Sequence, residues 1–301
     1  YILRGGRALF CIDNIDADMK QASEPDYFPP MINHGLDGLL FRWGARINPD
    51  LVQDAVSLPY PVVTGNVGGK SQFTPIEWPF YPLVSRYAEH PATRNLDAGL
   101  FRFVSSIDTI ASGTARRIPL MFTSPYTKTT VAPVKVGVDE LRRGLDPESY
   151  RGGQKIVGLL MDGTFTSLFR NRFRPDGTGA APMKETGVGR TVVISDGDFL
   201  LNGVDPRSGK VLPLGFDGMT GQTFANEEVI LNLASWLTDD SGLINARTKK
   251  VLLRPLDKVK VRDERLYWQL FNLALPVVIM VLLGVTLAWV RRKRYSGFNN
   301  G

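Results

Sequence analysis

The sequence contains one cysteine and two histidines among its 301 residues. A lone cysteine, Cys11, cannot form an intrachain disulfide, so a disulfide-bonded scaffold is excluded. Together with His34 and His90 it cannot build a dedicated zinc site unless carboxylates complete the ligand set. We therefore expect neither a metal nor another cofactor.

The sequence also has little excess of either charge. Its 36 Lys and Arg residues and 30 Asp and Glu residues give a net charge of +6. These cations are spread along the chain except near the C-terminus, whereas nucleic-acid-binding domains concentrate them on one surface. We expect no nucleic-acid partner. No internal repeat or low-complexity tract is present, and the apolar share of 43% is typical of a folded protein.

A complete phosphate-binding loop is missing as well. Residues 64–71, TGNVGGKS, come close to the pattern G-x-x-x-x-G-K-[ST], but its first glycine would fall on Thr64. Such a loop must also open a helix. The stretch that follows contains Pro75, Pro79 and Pro82, a density that excludes a helix. We interpret 64–71 as a glycine-rich surface turn and expect any ATP to be bound by a partner.

The sequence shows no recognisable set of catalytic residues. Nucleophilic catalysis needs a nucleophile beside a base. Cys11 lies in the apolar run ALFCID, which is typical of a core position, whereas His34 and His90 lie in loop-like sequence. Ser167 lacks the G-x-S-x-G setting of a nucleophile elbow. We therefore expect a protein that is not an enzyme.

What is present is an alternation of apolar strands with an amphipathic helix. The best helix covers 226–240, with Asn226 as its N-cap and Val229, Leu233 and Trp236 on one face. This pattern favours an α/β domain around a largely parallel sheet. The proline-rich region 58–95 is expected to be an insertion or an extended β segment. Strands are predicted at 8–12, 100–107, 117–124, 154–163 and 190–202, the last two buried on both faces.

The predicted domain organisation begins with a soluble α/β domain over 1–245. The opening YILRGGRALFCID reads as the end of a helix and a buried strand, from which we expect a further part upstream. Residues 246–267 alternate sharply in polarity and are predicted to be membrane-proximal strands or a stalk.

The longest uncharged run, 270–290, predicts a membrane anchor. As a helix it would span about 31 Å, close to the roughly 30 Å hydrocarbon core of a bilayer. With its aromatic flanks it predicts a transmembrane helix over 268–291 and a tail over 292–301. Four consecutive cations from Arg291 to Arg294 favour a cytoplasmic tail. The large domain would then face the periplasm from the inner membrane of a Gram-negative cell.

Small residues inside the anchor indicate a possible helix–helix contact. Gly284 and Ala288 lie one turn apart, a small-xxx-small spacing that permits close packing in membranes. The alternative is chance, because such pairs are common.

Two further groups are candidate ligand or partner contacts. Asp196 and Asp198 follow a predicted strand and could hold a hard cation, although an aspartate there usually caps the next turn. Trp78, Phe80 and Tyr81 could stack on a sugar ring or a partner peptide, or could simply cover a sheet edge.

Several stretches resemble the C-terminal part of the GldG family, the accessory proteins of gliding-motility ABC transporters in Bacteroidetes. The long run 215–264 is the most specific, whereas the short SDGDF and TSP motifs are shared by the wider group of ABC-transporter auxiliary domains. The resembling stretches are LLFRWGARINPDLVQDA (39–55), PLMFTSPYTK (119–128), GTFTSLF (163–169), VVISDGDFLLN (192–202), residues 215–264 and the terminal apolar run.

The resemblance implies a Rossmann-like α/β fold of GIFT type, similar to class I glutamine amidotransferases but without their catalytic residues. It also implies an upstream transmembrane helix, a large periplasmic domain and a C-terminal transmembrane helix. The implied partners are a multi-span permease and a separate ATPase that carries the phosphate-binding loop. Two alternatives stay open: an anchored periplasmic module that binds glycan or peptide through 75–82, and an enzyme on an α/β scaffold.

Overall fold

The computed structural model describes residues 1–24, 26–67, 70–111, 114–138, 145–170, 184–242, 244 and 264–295. The chain divides into two compact units, Tyr1–Leu253 and Arg254–Gly301. The domain limits at 245, 267 and 291 stay predictions. The predicted stalk lies outside the described residues up to position 263.

The described part of the first unit contains the helices α1 (Asp37–Trp43) and α2 (Asn226–Thr238). In chain order its strands are β1 (Arg7–Cys11), β2 (Ala45–Ile47), β3 (Asp50–Asp54), β4 (Ser57–Val67), β5 (Lys70–Val84), β6 (Arg86–Tyr87), β7 (Gly99–Leu100), β8 (Ile107–Thr109), β9 (Arg116–Phe122), β10 (Thr127–Val131), β11 (Ile156–Thr166), β12 (Thr186–Ile194), β13 (Phe216–Asp217) and β14 (Gln222–Thr223).

The main sheet has seven strands in the order β1-β12-β11-β8-β2, with β9 pairing β11 and β6. Only β1 and β12 run parallel, and the other pairs described in this sheet are antiparallel. The prediction of a largely parallel sheet is therefore wrong, while the mixed α/β class is confirmed. Parallel neighbours need long crossovers, usually helical, and the described parts of the connections between β9, β11 and β12 contain no α-helix.

The centre of this sheet is covered on both faces, which explains its apolar runs. In β11, Leu159 and Met161 point into a core with Trp43 of α1, whereas Leu160 points into another core with Leu233 of α2. A strand buried on both faces reads as a continuous apolar run rather than an alternation. The prediction for 154–163 and for the first half of 190–202 is confirmed.

The helix predicted over 226–240 is present, but its start differs from the expectation. Ala225 occupies the N-cap position and makes no side-chain cap bond. The Asn226 side chain instead accepts a hydrogen bond from Leu100 N at 2.8 Å and donates to Leu100 O at 2.9 Å and Phe199 O at 3.3 Å. Asn226 is 3% exposed, so this residue ties α2 to β7 and the segment after β12.

The region 58–95 forms an extended β segment, one of its two predicted alternatives. Strands β4 and β5 pair as a long antiparallel hairpin. The base of the hairpin contributes Trp78 and Phe80 to a third core, together with Leu51 and Phe103.

The strand predicted over 100–107 forms only at its two ends, as β7 and β8. Between them Phe101 enters the core beneath α2, whereas Phe103 enters the hairpin core. The φ of Phe103 is 47°, in the left-handed region that a regular strand excludes. The alternating apolar side chains of this stretch therefore belong to two different cores rather than to one face of a strand.

The second unit contains α3 (Arg265–Tyr295), a 31-residue helix with Pro276 inside it. Its stretch Arg265–Arg292 is long and apolar enough to cross a membrane, judged by length and composition, and is the one such helix among the described residues.

Candidate functional site

The carboxyl ends of β1 and β12 meet at one edge of the main sheet because the two strands are parallel. Ligands in open α/β sheets bind beyond such ends. Asp13 follows β1, and its Oδ1 accepts a hydrogen bond from Gly197 N at 2.8 Å. A Cβ on Gly197 would lie 2.4 Å from Asp13 Oδ2, so a larger residue there would require this carboxyl to shift.

Asp196, which follows β12, is fully buried at this edge. Its Oδ2 accepts from Arg102 N at 2.7 Å, and its Oδ1 accepts from Phe199 N at 3.0 Å. Burial raises the pKa of this carboxyl well above its usual range, and Asp13 raises it further. Both carboxyl oxygens of Asp196 thus accept hydrogen bonds from backbone N–H groups of the protein itself. This agrees with the interpretation that Asp196 caps a turn.

Asp198 lies beside this pair and is half-buried. Burial raises its pKa, while the charge of Arg102 opposes that shift. Burial likewise raises the pKa of Asp13 to about 6, against the hydrogen bond from Gly197. Among the residues that the structure describes, no group of three or more His, Cys, Asp and Glu could hold a metal ion. Among those described residues, Asp196 and Asp198 therefore lack the further side-chain ligands that a hard cation would need.

Asp13 was missed by the sequence analysis although its signal was present. It follows a buried strand, as Asp196 does, but only the parallel pairing of β1 with β12 brings the two together. The chain separates these strands by more than 170 residues, so spacing alone could not show their proximity.

The aromatic segment lies in the core rather than on the surface. Trp78 and Phe80 are each 1% exposed, with ring centroids 5.1 Å apart. Tyr81 is partly buried, and the Arg102 guanidinium lies 5.7 Å from its ring centroid. The platform hypothesis is wrong for Trp78 and Phe80, because neither can present a ring face to a ligand in this conformation.

The groups that could support nucleophilic chemistry are separated and used within the fold. Burial, with Asp196 and Asp13 adding to it, raises the pKa of the Cys11 thiol to about 12, so the thiolate is suppressed. His34 Nε2 lies 2.8 Å from Asn14 Oδ1. His90 Nδ1 accepts from Ala92 N at 3.2 Å. Neither imidazole is hydrogen-bonded to a hydroxyl or thiol among the described residues.

The stretch that resembles a phosphate-binding loop lies in the β4–β5 hairpin. Asn66 pairs with Ser71 and Val67 with Lys70, and the chain continues from Lys70 directly into β5. No helix follows, as the prolines predicted. The strand–loop–helix arrangement that holds phosphates is therefore not formed at this position.

The small residues of the anchor lie on α3. A Cβ on Gly284 would meet no described atom within 4 Å, so this face of the helix is open. Thr286 Oγ1 bonds to Leu282 O and Leu283 O of the same helix, each at 2.9 Å.

A family model described as an ABC-type uncharacterized transport system matches residues 1–233. The chain belongs to this family. The match includes the Asp13–Asp196 edge, most of the two cores of the main sheet and the first eight residues of α2. The match supports the resemblance to the wider group of ABC-transporter auxiliary proteins. It does not distinguish GldG proteins from other members of that group. No curated protein and no solved structure matches the chain.

Proposed function

We propose that this protein is a non-enzymatic, membrane-anchored accessory subunit of an ABC transporter that works with a separate permease and a separate ATPase. The observation that carries the proposal is the match of the auxiliary family to residues 1–233. A division of labour is supported by Lys70, which begins strand β5 rather than a helix that could hold a phosphate, so that any ATP would be bound by another subunit.

The narrower proposal is a GldG-like subunit with a GIFT-type, Rossmann-like fold and an association with gliding motility. It rests on the resembling stretches, above all 215–264. The large domain would face the periplasm, α3 would cross the inner membrane, and the cationic tail would stay in the cytoplasm.

The anchor would also contact the permease through Gly284 and Ala288. Lipid tails are as apolar as leucine, so membrane helices associate by close packing and polar contacts. Thr286 is a weaker contact candidate because its hydroxyl already bonds within α3. Gly284→Leu should reduce co-purification of the permease without preventing insertion. Equal yields from wild type and Gly284→Leu would make α3 a simple tether.

The test of the proposed function is affinity purification of the tagged chain from its native membrane in mild detergent, followed by mass spectrometry. We expect a multi-span permease and an ATPase with a phosphate-binding loop to accompany it in constant proportion. An unrelated tagged protein with one transmembrane helix is the control for carry-over. Purification of the chain alone, under conditions that keep another ABC transporter of the same membrane intact, would contradict the proposal.

A further inference from the structure

A pocket opens between α1 and the edge strand β2. Its volume is about 430 Å³, within the roughly 300–1,000 Å³ of small-molecule sites. Its wall is mainly apolar and includes Ala45 and Ile47, both buried, and Leu40, which is 1% exposed. Phe41 also lines the pocket and is 48% exposed, so the apolar surface continues from the buried wall to the mouth. The shape and lining are those of a site for a compact apolar group.

The cation of β2, Arg46, does not face the apolar wall. Side chains alternate along a strand, and in β2 Ala45 and Ile47 are buried whereas Arg46 is exposed on the opposite face. There Arg46 pairs in register with Asp108, and its Nε donates to Asn48 Oδ1 at 2.8 Å. Arg46 therefore offers no positive charge to a ligand that is packed on the apolar wall.

The carboxylate of Asp37, in contrast, lies at the pocket. Asp37 and Phe41 are four residues apart on α1, so their side chains lie on the same helix face, and both line the pocket. Asp37 Oδ1 is also 3.8 Å from His34 Nε2, which lies 2.8 Å from Oδ1 of the lining residue Asn14. The helix spacing and this contact together place a negative charge beside the apolar wall.

The polar groups beside Asp37 are occupied by one another. His34 Nδ1 accepts a hydrogen bond from Leu36 N at 3.1 Å, so the proton of the neutral ring is on Nε2, which donates to Asn14 Oδ1. The Asn14 amide donates in turn to Ile47 O at 3.0 Å. Within the described part of the chain, the Asp37 carboxylate accepts no hydrogen bond, and its side chain is 68% exposed. Its charge is thus available to a ligand at the mouth.

We propose that this pocket binds a small organic monocation, an ammonium group carried on a compact apolar body. In this assignment the apolar body packs on Leu40 and Ile47. The ammonium lies between the Asp37 carboxylate and the ring of Phe41, since aromatic rings attract cations. An exposed carboxylate contributes little affinity, so burial of the apolar body supplies most of it and Asp37 selects the charge of the ligand. This inference goes beyond the transporter assignment and does not depend on it.

The probe for the test is 4-fluorophenethylamine, which has one ammonium group on a compact apolar body and can be followed by fluorine NMR. Titration of the full chain in phosphatidylcholine nanodiscs, with empty nanodiscs subtracted, should show saturable binding at one site. The neutral 4-fluorophenylethanol should bind about three- to fivefold more weakly, as an exposed ion pair allows, and the anionic 4-fluorophenylacetate more weakly still. Absence of saturable binding, or binding of the alcohol or the carboxylate as tight as that of the amine, would overturn the proposal.

The site is assigned by three variants. Asp37→Asn should remove the preference for the amine and change the affinity for the alcohol by less than about twofold. Phe41→Ala should weaken the binding of both by about threefold or more, because both pack on its ring. Glu227→Gln is the matched control, since it removes a carboxylate from the first turn of α2, outside the pocket lining, and should bind as wild type does.

Thermal unfolding of each variant checks that it is folded. A folded Asp37→Asn variant that keeps the wild-type preference for the amine would refute the proposal, as would wild-type binding by Phe41→Ala.

Discussion

Asn226 offers a sharp test of the fold, because the sequence and the structure give it different roles. As an N-cap it would be replaceable by serine or aspartate, which cap helices equally well. In the structure its amide holds Leu100 N, Leu100 O and Phe199 O. Leu100 is 2% exposed and Phe199 is 1% exposed, so water cannot easily replace the amide. Asn226→Ser therefore separates the two accounts.

The expected loss follows from the groups left behind. Asn226→Ala removes the hydrogen-bond partner of the N–H and C=O of Leu100. An unsatisfied buried polar group costs about 1–3 kcal/mol of stability. Allowing for relaxation, we expect a loss of about 3 kcal/mol in the free energy of unfolding. For a domain of this size, about 1 kcal/mol shifts the melting temperature by roughly 2–4 °C, so the expected fall is about 6–12 °C. Asn226→Ser should fall nearly as far, because one hydroxyl cannot serve all three partners.

The assay is thermal unfolding of the full chain in detergent, followed by tryptophan fluorescence so that α3 does not dominate the signal. Ser235→Ala is the matched control. Ser235 is exposed on α2, and its hydroxyl donates to Leu231 O of the same helix and to no other described residue. Its removal should change stability by less than about 0.5 kcal/mol. Asn226→Ser could instead melt within about 2 °C of wild type, which corresponds to a loss of less than about 1 kcal/mol in the free energy of unfolding. That result would refute the claim that the Asn226 amide holds three backbone groups in place.

The remaining predictions concern charge, reactivity and topology. Burial raises the pKa of Asp13 from 3.8 to about 6, so its stabilising contribution should be complete below about pH 4 and lost as the pH rises through about 6. Asp13→Asn should weaken that pH dependence and raise stability at pH 7 by about 1–3 kcal/mol in urea titrations, and an unchanged profile would contradict the raised pKa. Cys11 should resist iodoacetamide at pH 8 in the folded chain and react after denaturation, whereas rapid labelling of the folded chain would refute its suppressed thiolate. In a Cys11→Ala background, an impermeant maleimide on intact spheroplasts should label Ser235→Cys but not Ser296→Cys, and the reverse pattern would invert the topology.

Local patterns in the sequence were sufficient for the elements whose environment is uniform. Helix α2 was predicted because its apolar residues recur at helical spacing, and α2 does bury Val229, Leu233 and Trp236. Strands β11 and β12 were predicted because a sheet covered on both faces produces continuous apolar runs. Such patterns depend only on neighbours along the chain.

Features that depend on distant segments could not be predicted in the same way. The direction of strand pairing is decided by the connections, and the apolar runs are the same in parallel and antiparallel sheets. The role of Asn226 depends on Leu100, which is 126 positions away. The burial of Trp78 depends on a core to which Leu51 and Val136 also contribute.

The candidate site shows the same division. Asp196 was identified from its position after a strand, but its two backbone partners come from Arg102 and Phe199. The pocket between α1 and β2 was not predicted at all. It requires β2 to lie beside the start of α1, and no motif in the sequence indicates that arrangement.

The central claim is that this chain is an accessory subunit and that a partner binds the ATP. The most direct measurement is photolabelling of the complex purified from native membranes with radiolabelled 8-azido-ATP, with excess ATP as competitor. We expect competable label on a co-purifying ATPase chain and none on this chain, in wild type and in Lys70→Ala alike. Competable label on this chain that Lys70→Ala removes would contradict the account, as would a purified complex with no labelled partner.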